Sequence, residues 1–135
     1  MLDNLFKIKE DIDLSDLQKL QPAIWIIFTG ALLYCKRHGL TCRITSIISD
    51  RGDDVNARAK SKTHQSGRAI DLGVRAEDGW TDLHISRLTH QLCKDYADIA
   101  ALSHSDLSPR AAIAKSDHIH LQCRPNADVS KFIKE

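Results

Sequence analysis

The stretch that most restricts the fold of this chain is residues 22–38. It is strongly apolar, it opens with Pro22, and Gly39 follows it. A proline at the first helical position loses no hydrogen bond and has its φ preset, while glycine suits the left-handed residue that ends a helix. The pattern predicts one main core helix over 22–38, with Trp25 and Tyr34 as packing residues. Within it, residues 23–35 form the longest apolar stretch, which includes Thr29 and Gly30. That stretch is too short to span a bilayer and suits a buried helix.

Other elements are arranged around it. Ser15-Asp16-Leu17-Gln18 reads as a capping box, with Ser15 at the N-cap. Residues 41–48 are rich in β-branched side chains and predict a strand, bounded by Gly39 and by Asp50-Arg51-Gly52-Asp53. Residues 50–62 are polar and loop-like, with a short helical turn over 55–59. Residues 68–74 predict the next strand, and Asp78-Gly79 is a turn. A second helix is predicted from Thr81 or Asp82 to Tyr96, with Leu83, Leu88 and Leu92 among its apolar positions. Residues 103–110 form a loop containing Pro109. Residues 111–114 and 118–123 read either as a strand pair or as one interrupted strand, and 126–133 as a short closing helix. Together these predict an α+β fold, a short and mostly antiparallel sheet with flanking helices. At 135 residues, with no repeat, linker or low-complexity tract, the chain reads as one domain over 1–135.

Composition removes several function classes. The net charge is +1 and aromatics make up 5% of residues, which argues against a basic stripe or a base-stacking platform and so against nucleic acid as partner. The N-terminus lacks a basic region, an apolar run and a small-residue cleavage site, so no secretory signal is expected. Cys35, Cys42, Cys93 and Cys123 are scattered singly, without a Cys-x-x-Cys pair. Four reduced thiols are the expectation rather than a thiolate metal site.

Chemistry concentrates in two places. One is Ser-Lys-Thr-His-Gln-Ser-Gly-Arg-Ala-Ile-Asp-Leu, residues 61–72, which holds His64, Gly67 and Asp71. The other is Ser-Asp-His-Ile-His-Leu-Gln, residues 116–122, with Asp117, His118 and His120. With His64 on the loop into a strand and Asp71 on it, both point into one cleft, and Gly67 permits a tight turn or close backbone approach. His118 and His120 share a face on a strand, being two apart. Catalytic zinc takes three such ligands and keeps one position open for water. The reading is therefore a mononuclear zinc site of His64, Asp71 and His120, lying in a cleft on the sheet, with Asp117 placed to take a proton from water. Spacing alone leaves the ordinary alternative open: a histidine beside an aspartate is commonly a plain hydrogen bond, and His-x-His can be a strand facing solvent.

The pattern His64-x-x-Gly67-x-Ala69-x-Asp71 followed by Asp117-x-x-His120 resembles the zinc D-Ala-D-Ala carboxypeptidase and L-alanyl-D-glutamate endopeptidase family, which includes phage endolysins. The resemblance covers residues 46–122. It implies that His64, Asp71 and His120 hold zinc, that Asp117 is the general base, and that Arg51 holds substrate and steadies the transition state. Asn56 is similar in placement to an asparagine that often follows that arginine. His118 is either a second group polarising the water or a partner of Asp117. Many members carry a serine two residues before the first histidine, where this chain has Lys62, with Thr63 a candidate replacement. An aromatic-rich segment before the last histidine is also missing. The implied activity is hydrolysis of an amide in the peptide stem of bacterial peptidoglycan, in an endolysin-like manner. Alternatives are a D,D-carboxypeptidase or dipeptidase on wall precursors, and a non-catalytic binding module of the same fold. The expected setting is a monomer without stable membrane association or a wall-binding domain. It would stay in the host cytoplasm until release to the wall, or be carried in a virion.

Overall fold

A computed structural model describes residues 6–10, 12, 14–47, 67–102 and 108–132. A short strand β1 (Lys7–Ile8) leads through a 3-10 turn at Leu14–Lys19 into helix α1 (Pro22–His38). Both predicted ends of α1 hold. Pro22 occupies the first turn, and Gly39 is left-handed at φ 70°, with its N–H donating to the Cys35 carbonyl. Strands β2 (Arg43–Ser46) and β3 (Ala69–Gly73) follow, then helix α2 (Asp82–Asp95). The Thr81 hydroxyl caps α2 by accepting from the His84 N–H at 3.3 Å. The chain continues through β4 (Ala101–Leu102), β5 (Pro109–Arg110), β6 (Ala112–Ala114) and β7 (His118–Gln122).

Five strands form one sheet in the order β1-β2-β3-β7-β6, and β4-β5 make a separate antiparallel pair. Only β1 and β2 run parallel, which requires a crossover, and α1 lies between them in the chain. The remaining pairings in the large sheet are antiparallel, so the α+β expectation of a mostly antiparallel sheet with flanking helices is met. The core lies between the helices and one sheet face. Ile24, Ile27, Phe28 and Ala31 of α1 and Leu88 and Leu92 of α2 cluster there with Ile44, Ile70, Leu72, Ile119 and Leu121. Each such large side chain contributes about 1.5–3 kcal/mol by leaving water. No helix among the described residues is long and apolar enough to cross a membrane.

Several local expectations are corrected. Ser15 falls inside a 3-10 turn rather than capping an α-helix. Of the strand expected over 41–48, the described residues 41–47 show it at Arg43–Ser46, with a register shift between Ile44 and Ser46. Within the expected loop 103–110, Pro109 and Arg110 form a strand with β4. Of the alternatives over 111–123, the strand pair is the one adopted. Of the closing helix expected over 126–133, the described residues show a 3-10 turn at Ser130–Phe132, preceded by Asn126 at φ 51°. The helical turn expected at 55–59 lies outside the described residues. All four cysteines are free thiols, with Cys35, Cys42 and Cys123 buried.

Gly67 meets both halves of its expectation. Its φ is 72°, and a Cβ there would lie 2.2 Å from the Lys19 carbonyl oxygen. The Gly67 carbonyl accepts from the Gln21 N–H at 2.8 Å. This close backbone approach fastens the lead-in to β3 against the residues that begin α1.

Candidate metal and catalytic site

Strand alternation puts the site on the sheet face opposite the core. On β3, Ile70 and Leu72 belong to the core while Asp71 projects the other way; on β7, Ile119 and Leu121 belong to the core while His118, His120 and Gln122 alternate with them. Asp71 and His120 are direct cross-strand partners in the β3–β7 ladder. Side chains at such positions meet without any loop to place them.

The His120 Nδ1 lies 2.9 Å from Asp71 Oδ1, and its Nε2 lies 3.1 Å from Gln122 Oε1. Asp71 is buried to 7% exposure, too dry for an uncompensated carboxylate. The His118 Nε2 faces the second oxygen of Asp71, Oδ2, at 3.8 Å, too long for a direct hydrogen bond. On its other side the His118 Nδ1 is 2.7 Å from Asp117 Oδ1. That bond, more than the charge of the imidazole, holds the Asp117 carboxyl below the usual carboxylate range. Asp117 itself is exposed, its side chain at 84%. The order across the face is therefore Asp117, His118, Asp71, His120, Gln122.

The sequence places Asp117 as the group nearest the water, and the described contacts put His118 between Asp117 and Asp71. Three neighbours of Asp71 and His120 escaped the sequence reading. Gln122 follows His120 by two positions on the same strand face, a parity signal that was legible but not used. The register shift in β2 makes Ser46 the cross-strand partner of Asp71. Thr45 also donates its hydroxyl to the Asp71 carbonyl at 3.4 Å. His64 and Arg51, the other two expected site residues, lie outside the described residues, as do Asn56, Lys62 and Thr63.

Among the described residues no group of three or more His, Cys, Asp or Glu side chains is gathered to hold a metal. Two of the three expected ligands can be tested directly. Donors sharing a tetrahedral zinc, each about 2.0–2.1 Å from the ion, stand about 3.3 Å apart. Asp71 Oδ1 and His120 Nδ1, at 2.9 Å, are close to that separation, and a carboxylate with an imidazole is a suitable donor set. Two further histidines among the described residues lie at Tyr34: the His84 Nδ1 contacts the Tyr34 hydroxyl at 2.9 Å, and the His38 ring packs tilted against Tyr34 with centroids 4.3 Å apart. Neither touches the β3–β7 face. Compared with family models, curated proteins and solved structures, the chain matches none.

Proposed function

We propose that this chain is a zinc-dependent peptidase that hydrolyses an amide in the peptide stem of bacterial peptidoglycan, the L-alanyl-D-glutamate bond of an endolysin-like enzyme. The observation that carries the reading is the cross-strand pair Asp71–His120, with a second imidazole, His118, on the same face. The resemblance of the sequence motif supports the substrate class, and the cross-strand pair supports a metal-assisted hydrolysis.

Asp71 and His120 would hold the metal, with His64 as the third ligand. Zinc, when bound, acidifies a water and polarises a carbonyl oxygen. The protein's own part is proton management. The Asp117 carboxylate accepts from the His118 Nδ1–H, and the far nitrogen, Nε2, is turned toward Asp71. A carboxylate that fixes an imidazole tautomer makes the far nitrogen a base. His118 thus takes the proton of the attacking water and returns it to the leaving amine, and Asp117 orients it. Arg51 steadies the developing oxyanion.

Digestion of purified peptidoglycan with and without a chelator, read by mass spectrometry, tests this. New alanine C-termini and glutamate N-termini, lost with chelator and restored by zinc, are expected. Release of free D-alanine alone would move the protein to the D,D-carboxypeptidases. No product under any condition would make it a binding module.

A further inference from the structure

We infer that His38 and His84 form a second metal site, one that takes a divalent first-row transition ion and ties the end of α1 to the start of α2. His38 lies in the last turn of α1, and His84 in the first turn of α2. Tyr34 is the anchor they share. It is buried, and it stands one helical turn before His38 on the same side of α1. The His38 ring lies against it with centroids 4.3 Å apart, and the His84 ring meets it edge to face at 5.8 Å.

The two imidazoles stand at the spacing a shared ion requires. Metal–nitrogen bonds of about 2.0–2.1 Å put each ring centroid about 3.2 Å from the ion, and a tetrahedral angle then sets the centroids about 5.2 Å apart. The His38 and His84 centroids are 5.2 Å apart, with their planes inclined by 54° rather than stacked. Ligating histidines commonly give their other ring nitrogen to a fixed hydrogen-bond partner. The His84 Nδ1 has one in the Tyr34 hydroxyl at 2.9 Å, so Nε2 is the atom for the ion. A hydroxyl both donates and accepts, and with the ion on Nε2 the Nδ1–H donates to the Tyr34 oxygen. His38 is exposed, so its ring turns to the ion without disturbing the core. Arg37 beside it, and Arg87, whose charge is felt at Tyr34, oppose a cation, but both are exposed and screened by salt. Imidazole suits zinc, copper and nickel, and water fills the positions that two histidines leave.

The test uses full-length, tag-free, metal-stripped protein carrying His120→Ala, so that the β3–β7 face lacks one of its candidate ligands. Ni2+ is the probe, because unlike Cu2+ it leaves thiols unoxidised. Titration calorimetry at pH 8 should find one Ni2+ per chain, and the ion should raise the thermal midpoint, as a ligand of the folded state does. Adding His38→Ala or His84→Ala should abolish both effects. Adding His90→Ala, an exposed histidine elsewhere on α2, should change neither. Tyr34→Phe keeps the ring without the hydroxyl and should weaken binding about 10–100-fold. No binding at millimolar Ni2+, or binding that survives His38→Ala, overturns the inference. If His84→Ala does not fold, His38→Ala, at an exposed helix end, decides. The result is the same whether or not the β3–β7 face holds zinc.

Discussion

The two faces of the β3–β7 ladder are built from the same ten residues and do opposite work. One face presents Ile70, Leu72, Ile119 and Leu121, all at 0% exposure against the helices. The other presents Asp71, His118, His120 and Gln122, joined through polar contacts. Alternation with a period of two puts them back to back, so the apolar packing and the polar cluster are separated by the thickness of one sheet. A substitution on one face should leave the other's property nearly untouched.

The largest effect expected is on the polar face. His118→Ala should lower the wall-digestion rate by roughly two to four orders of magnitude, the usual loss for a proton-transfer group. Zinc content and thermal midpoint should stay near wild type. Asp117→Ala, acting through His118, should cost less. If Asp117→Ala is the more damaging of the two, the base is Asp117 and the order across the face is wrong.

On the apolar face the effect reverses in kind. Leu121→Ala should cost about 2–5 kcal/mol in denaturant titration. The zinc bound per folded chain should not change. Loss of zinc at concentrations where the variant is still folded would show that the faces are coupled.

A smaller effect belongs to the sheet's neighbour β2. The Arg43 guanidinium grips Asp78 with bonds of 2.9 and 3.0 Å, and these hold the Asp78 carboxyl below its ordinary range. A depressed carboxyl stabilises the fold above the unfolded value, near pH ~3.9, and that contribution disappears as pH falls through the folded value. Asp78→Asn should therefore cost about 1–3 kcal/mol at neutral pH. The gap to wild type should close below about pH 4, as measured by urea midpoints across pH. A gap that persists in acid would mean the loss is packing rather than charge.

The smallest effect is chemical. Burial pushes the Cys123 thiol up to about 11, and a hydrogen bond with Cys35 together with burial raises that of Cys42. Only thiolate reacts appreciably with thiol reagents. Native protein should label slowly at both, while denatured, non-reduced protein should yield all four thiols. A yield of two would mean a disulfide.

The long elements were legible because their ends carry chemistry: Pro22 and Gly39 bracket α1, and Thr81 caps α2. The strands β3 and β7 were legible from β-branched and apolar positions beside Asp71 and His120. Strands of two residues, β1, β4 and β5, have no period to read, and Pro109 disguised β5 as a loop. That omission hid what holds the Gln122 amide, the carbonyls of Ala101 and Arg110, which no sequence pattern announces. Parity put His118 and His120 on one face, yet parity cannot say which way Asp117 turns from the mouth of the strand. That is decided by its 2.7 Å bond to His118.

The outermost strands of the large sheet, β1 and β6, are two and three residues long. A sheet rim is where a foreign strand docks, and it recruits in proportion to the run of backbone N–H and C=O it offers. Rims this brief give an incoming strand few rungs to hold, with Lys7 and Lys9 at one end adding charge. Copies of the chain therefore find little template on one another for edge-to-edge growth.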